Sequence, residues 1–270
     1  MKKLLLCAIA TIAIAAPAVA ADLPARTYSK APTAVATVYD WTGFYVGINA
    51  GAHVSRDRDS AADSSDANFI PGNIVLLNQA VPFSSSQTGF AGGVHLGYNW
   101  QASSFVFGLE GDFDGLTGKA TRNLIQPIIV DTVQFIDSSR DNWMSTVRGR
   151  AGFAFDRLLI FATGGAAFSN WQLSHSFAQI VGGGTTNGAI SQTATRTGWV
   201  VGGGVEYALT NNWLIRGEYL HADFGTVSSS LLSTQGGLFP TVFTHSEKLT
   251  EDVVRGGISY KFGGPVVAKY

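Results

Sequence analysis

Glu110 is followed two residues on by Asp112, Arg148 by Arg150 and Arg216 by Glu218, while Glu206 and Arg255 stand singly among apolar and glycine neighbours. Residues two apart share a face of a β-strand, so each couple points both charges at one environment. Two chemistries suit such a set. Paired carboxylates can do general acid and base work, as in glycoside hydrolysis, but only across a substrate-sized cleft. Acids matched with arginines make an ion network instead. Buried charges must pair and accept hydrogen bonds or carry a desolvation cost of several kcal/mol. The five-donor guanidinium serves several carboxylates at once, and every basic member here is arginine. The expected role is therefore a structural interior network, with an ion or proton path as the lesser role and catalysis set aside.

The histidines are His53, His95, His175, His221 and His245. On neighbouring strands His53 and His95 differ in height by about 17 Å, too far to share a metal, and no metal site is expected. The acids between Ser55 and Ser86 do not follow the EF-hand spacing. Gly202-Gly203-Gly204 lies inside a strand-like run, and Gly182-Gly183-Gly184 lacks the ending of a phosphate loop.

Eight segments with period two must position the charges: Trp41–Val54, Gln87–Trp100, Ser104–Asp114, Asn142–Phe155, Arg157–Asn170, Ala194–Ala208, Asn212–Phe224 and Thr250–Phe262. The gaps between them are 32, 3, 27, 1, 23, 3 and 25 residues, so long and short connections alternate throughout. A transmembrane β-barrel has this pattern, with turns on the periplasmic side and loops outside the cell. The faces agree. In the first segment Phe44, Val46 and Ile48 oppose Gly43, Tyr45 and Gly47; in the seventh Trp213, Ile215 and Tyr219 oppose Arg216 and Glu218. Polar faces rich in glycine and poor in lysine suit a crowded interior better than a wet exterior. The fifth segment is apolar on both faces and does not orient itself. Trp100, Trp143, Phe155, Tyr207, Trp213, Tyr260 and Phe262 are expected near the periplasmic ends as an interfacial girdle. The predicted fold is all-β, an eight-stranded antiparallel transmembrane β-barrel over residues 41–262.

Lys2 and Lys3, an apolar run to Val19 and Ala18-Val19-Ala20 read as an export signal over residues 1–20, cut between Ala20 and Ala21. Without it the chain has 16 basic and 19 acidic residues and no cysteine, Cys7 being the only one. Disulfides, thiolate catalysis and cysteine-bound metals are excluded from such a mature chain, and the absence of a basic block argues against nucleic acid. Residues 21–40, with Pro24 and Pro32, read as an extended periplasmic lead-in, and residues 263–270 as a periplasmic tail.

Several stretches together carry a family resemblance: the signal followed by Ala21-Asp22-Leu23-Pro24, the opening Asp40-Trp41-Thr42-Gly43-Phe44-Tyr45-Val46-Gly47, Thr163-Gly164-Gly165-Ala166, Thr197-Gly198-Trp199 through Glu206-Tyr207, Arg216-Gly217-Glu218-Tyr219-Leu220, and Val254 through Phe262. The chain resembles the small outer-membrane proteins of alphaproteobacteria often named outer-membrane immunogenic proteins, which share the eight-stranded fold of the OmpA-like transmembrane domain. The resemblance implies an outer-membrane location and a non-enzymatic role in envelope integrity and surface interaction. Its partners would be outer-membrane lipids, lipopolysaccharide, the outer-membrane assembly machinery and host or environmental surface ligands. Some relatives are described as porins or hemin binders. This implies two alternatives, a narrow channel for ions or small solutes, or loop binding of hemin, with His175, His221 and His245 as candidate ligands. No cofactor is otherwise expected. Relatives commonly end on the terminal aromatic, whereas here residues 263–270 follow Phe262, so either Phe262 or Tyr270 serves as the assembly signal.

Overall fold

The computed structural model describes residues 38–63, 83–127, 132–181, 184–235 and 239–263. The export signal, the cleavage point at Ala20 and Ala21, and most of the lead-in and tail lie outside them. The strands are β1 (Gly43–Asp63), β2 (Phe83–Ala102), β3 (Phe105–Leu116), β4 (Ala120–Pro127), β5 (Thr132–Phe155), β6 (Leu158–Val181), β7 (Gly184–Ala208), β8 (Trp213–Gln235) and β9 (Phe239–Lys261).

The expected eight-stranded barrel is corrected. These strands form one nine-stranded antiparallel sheet in the order β3-β2-β1-β9-β8-β7-β6-β5-β4, with an additional β3–β5 pairing. The extra strand comes from the 27-residue connection between the third and fourth segments. Its residues Ala120 to Pro127 pair with Ser139 to Thr132 of β5. Thr121, Ile125, Val133 and Ile136 give both arms the β-branched character that favours strands. A connection read as loop therefore supplies a hairpin.

The other long connections shorten in the same way. β6 runs on to Val181 and β7 starts at Gly184; β8 reaches Gln235 and β9 starts at Phe239. At the opposite end the turns are tight. Ser103 and Asp156 take positive φ of 56° and 51°, letting the chain reverse between β2 and β3 and between β5 and β6.

Two β-bulges interrupt the alternation. In β5 the pairing with β6 shifts between Asp141 and Met144, and in β8 the pairing with β9 shifts between Asp223 and Thr226. Below the first bulge the buried residues of β5 are Met144, Thr146, Arg148, Arg150 and Ala154; above it they are Val133, Phe135, Ser139 and Asp141. One inserted residue exchanges the faces of everything beyond it.

Outward residues of the lower strand halves are apolar and exposed, among them Phe44, Ile48, Leu96, Leu109, Val147, Val205, Ile215 and Val254. Phe44 packs on Phe262, Trp100 on Tyr98, Phe105 on Phe153 and Trp213 on Tyr260, a row of rings near the tight turns. Trp143 does not belong to this row, contrary to expectation. Paired with Gly115, it lies at the far end of its segment from the Asp156 turn and packs on Phe113. β5 descends toward that turn, so the first residues of the segment are its upper ones. Trp199 sits at that upper level too, opposite Asp223. From Trp199 to Tyr207 is about 26 Å along the strand.

The sixth strand, apolar on both faces, is now oriented. Leu159, Phe161, Thr163 and Ala167 are buried, while Leu158 and Ile160 are exposed. Two apolar clusters lie in the interior: Tyr39, Trp41, Val106, Leu159, Phe161 and Leu214 near the turns, and Leu116, Met144, Trp171, Leu220, Phe224 and Leu249 higher up.

Candidate functional site

Between the two apolar clusters lie the charges. In β3 burial alternates strictly, turning Glu110, Asp112 and Asp114 inward with Val106. Register then places opposite charges side by side: Glu110 against Arg148, Glu206 against Arg216, and Glu218 against Arg255. Direct cross-strand neighbours have Cβ atoms about 5 Å apart, close enough for their heads to meet.

The sheet curves so that strands distant in its order also meet. Arg148 donates from Nη1 to Glu218 Oε1 and from Nη2 to Glu110 Oε1 and Asp112 Oδ2, each at 2.6 Å, and from Nε to Thr146 Oγ1 at 2.9 Å. Arg255 donates to Glu218 Oε2 at 2.8 Å, to Asp112 Oδ2 at 2.8 Å and to Asp114. Arg150 donates to Glu206 Oε2 at 2.6 Å and to the Tyr45 hydroxyl at 2.8 Å; that hydroxyl donates to Glu110 Oε2 at 2.6 Å. Arg216 reaches Glu110 Oε2 at 2.5 Å and lies 3.3 Å from Glu206. The Arg150 guanidinium also lies over the Phe161 ring at 4.1 Å, a cation–π contact.

All eight expected charges are thus buried and brought together. Asp114 and Tyr45 complete the set. Tyr45 shares the inward face of its segment, but an uncharged residue gave no signal of its own. Glycines make the room: a Cβ on Gly97 would stand 2.6 Å from Tyr45 Cζ and 2.7 Å from the Leu109 carbonyl. Guanidinium groups lie between the acids, the arrangement of an ion network.

The lower end carries a second unforeseen feature. The last residues of the lead-in are held rather than free. Trp41 is fully buried, donates from Nε1 to the Asp156 carbonyl at 3.0 Å, and receives Tyr39 edge-on at 5.0 Å. Its backbone N–H donates to Gln101 Oε1 at 2.7 Å, and the Tyr39 N–H donates to Asp156 Oδ1 at 2.9 Å. The Lys261 ammonium lies 4.4 Å from the Tyr39 ring.

Of the candidate hemin ligands, His175 and His221 each meet different acids. His221 donates or accepts at Nδ1 with Asp252 at 2.7 Å beside Trp199. The side chain of His245 lies outside the described residues. His175, in the part of β6 above the apolar band, has Nδ1 at 3.1 Å from Asp137 and Nε2 at 3.2 Å from Glu247. Burial alone would lower its pKa, but hydrogen bonds to Asp137 and Glu247 outweigh it and raise it to about 10. The folded value exceeds the unfolded one of about 6.5, so this stabilisation is complete below about pH 6.5 and is lost as pH rises through 10. The urea midpoint of the wild type should exceed that of His175→Gln most near pH 6, and the gap should vanish above about pH 10. A gap that stays constant across this range would rule out the charged triad.

Comparison with known proteins gives one consistent picture. Residues 6–262 match the family described as outer membrane protein beta-barrel domain. The chain is 30% identical over 270 residues to the 31 kDa outer-membrane immunogenic protein of Brucella melitensis, covering 97% of this chain and 100% of that one. It is 25% identical over 263 residues to the 25 kDa outer-membrane immunogenic protein of Brucella abortus, covering 97% and 99%. It is also 30% identical over 174 residues to the 22 kDa outer membrane protein of Rhizobium leguminosarum, covering 64% and 67%.

Proposed function

Because the chain belongs to the outer membrane protein beta-barrel domain family, we propose that it is a non-catalytic structural and surface-interaction protein that contributes to envelope integrity through a sealed interior. It is an outer-membrane surface protein with extracellular loops and periplasmic termini. The observation that carries the proposal is the filling of the interior in three layers. Trp41 and Tyr39 occupy the periplasmic end, arginines and carboxylates the middle, and Trp171, Phe224 and Leu249 the upper part. A solute path needs continuous wet space along the axis, and each layer is packed with side chains.

The remaining parts follow from this role. The outward apolar band faces lipid, and lipopolysaccharide surrounds its upper edge. The export signal is cut between Ala20 and Ala21, and the assembly machinery inserts the mature chain. Residues 21–40 lead into the membrane domain of residues 41–262, and residues 263–270 remain periplasmic. Two relatives are named outer-membrane immunogenic proteins, and in this chain the strand extensions above the membrane are the part offered to antibodies and to host or environmental surface ligands. Nucleic acid is not a partner.

Planar-bilayer recording of the refolded protein tests the sealed interior. It should add no unitary conductance to the bilayer. Reproducible steps that scale with salt concentration would replace this role by that of a narrow channel.

A further inference from the structure

Above the ion network, three buried side chains from three strands converge: His53 of β1, Asp141 of β5 and Glu251 of β9. One nitrogen or oxygen from each lies within 4.8 Å of the others. His53 Nδ1 is 2.5 Å from Glu251 Oε1 and 3.6 Å from Asp141 Oδ2. Ser55, two residues along on the same face of β1, places Oγ 2.6 Å from Asp141 Oδ2 and 2.6 Å from Glu251 Oε2. The β5 bulge turns Asp141 into this group.

The hydrogens of these groups do not suffice for their contacts. His53 Nε2 lies 2.7 Å from the Thr117 carbonyl, which can only accept, so Nε2 carries the ring proton. The neutral ring then presents a lone pair at Nδ1 to a carboxylate oxygen. Ser55 has one hydroxyl hydrogen for two carboxylates. With both acids ionised, two of these three close contacts set lone pair against lone pair in a dry site. Either two added protons or one divalent cation satisfies them.

The outer partners select the cation. A metal-binding imidazole donates its other N–H to a carbonyl or carboxylate, and a metal-binding carboxylate is itself hydrogen-bonded. The Thr117 carbonyl fills the first place, and Gln87 Nε2, 2.6 Å from Asp141 Oδ1, fills the second. The oxygen of the same Gln87 amide is buried without a hydrogen-bond partner.

We propose that His53, Asp141 and Glu251 bind one divalent first-row transition ion, with zinc best matched to one imidazole and two carboxylates. Donors around a tetrahedral zinc stand about 3.3 Å apart. The His53–Asp141 separation of 3.6 Å already fits, and the His53–Glu251 contact of 2.5 Å opens by less than about 1 Å. The ion joins β5 to β1 and β9, neither of which pairs with it in the sheet. It therefore clips together the base of the extracellular strand extensions.

Zinc titration calorimetry on the untagged mature chain, refolded in detergent and stripped with chelator, tests this in two buffers of different ionisation enthalpy. One zinc should bind per chain, with release of about two protons, because the ion replaces those that otherwise fill the cluster. Asp141→Asn and Glu251→Gln should each weaken binding at least tenfold, while His175→Ala leaves it unchanged. X-ray absorption of the zinc-loaded wild type, which needs no variant to fold, should show one imidazole among oxygen ligands. The proposal is overturned if the wild type takes up no zinc at millimolar concentration, if binding releases no protons, if both carboxylate variants bind as the wild type does, if His175→Ala is the variant that abolishes binding, or if the absorption spectrum shows two or more imidazoles.

Discussion

Arg148→Ala is expected to lower the unfolding free energy of the lipid-embedded chain by roughly 3–5 kcal/mol, the cost of leaving buried charges without their partner. Arg148 is fully enclosed and joins Glu110, Asp112 and Glu218, acids from two strands, through one guanidinium. Its removal leaves Asp112 and Glu218 with Arg255 as their remaining ion-pair partner, and Glu110 with Arg216, Arg150 and Tyr45. Ile215→Ala, one position from Arg216 on the opposite face, removes only outward apolar surface and should cost about 2 kcal/mol or less. Urea unfolding from lipid vesicles compares the two directly. Equal costs would mean that Arg148 is not held in a dry network.

Trp41→Ala is expected to cost a similar roughly 3–5 kcal/mol for a different reason, the cavity left by a large buried ring. Trp41 packs in the lower apolar cluster with Leu159, Phe161 and Leu214, and its indole N–H holds the Asp156 turn. The loss should appear in the same urea experiment. It should be accompanied by faster proteolysis near residue 38 from the periplasmic side, because Tyr39 loses its edge-on partner. A Trp41→Ala variant as stable as the wild type would show that Trp41 is not part of the folded interior.

Where the strand alternation runs unbroken, the sequence was readable. Glu110 and Asp112, Arg148 and Arg150, and Arg216 and Glu218 all turn inward, as two-residue spacing requires. Which acid meets which arginine was not readable, because it depends on register and on contacts across the interior. Arg216 illustrates this. Its bond goes to Glu110, on a strand far from it in sheet order, and not to Glu218 two residues away. Alternation also stops being informative at a bulge. Asp141 lies just above the one in β5, outside the segment that began at Asn142, so its place beside His53 had no periodic signal. Likewise β4 arises from a short run inside a connection, and adjoining Gly118 with φ 143° separates it from β3. The comparison of His53 with His95 alone did not point to the His53, Asp141 and Glu251 cluster, because its other two members are carboxylates on different strands.

The central claim is that the glycine-rich, charged face is enclosed while the apolar face meets lipid. Cysteine is absent from the sequence after Cys7, so a single introduced cysteine gives a unique label in the mature chain. Spin labels placed one at a time along β8 at Leu214, Ile215, Gly217, Tyr219 and Leu220 in lipid vesicles should show collision with oxygen, the lipid-soluble quencher, at Ile215, Gly217 and Tyr219. Leu214 and Leu220, both buried, should show little collision with oxygen or with a water-soluble nickel chelate. Chelate access at Leu214 and Leu220 matching that of a surface label, or an oxygen profile of opposite phase, would contradict the enclosed charged face.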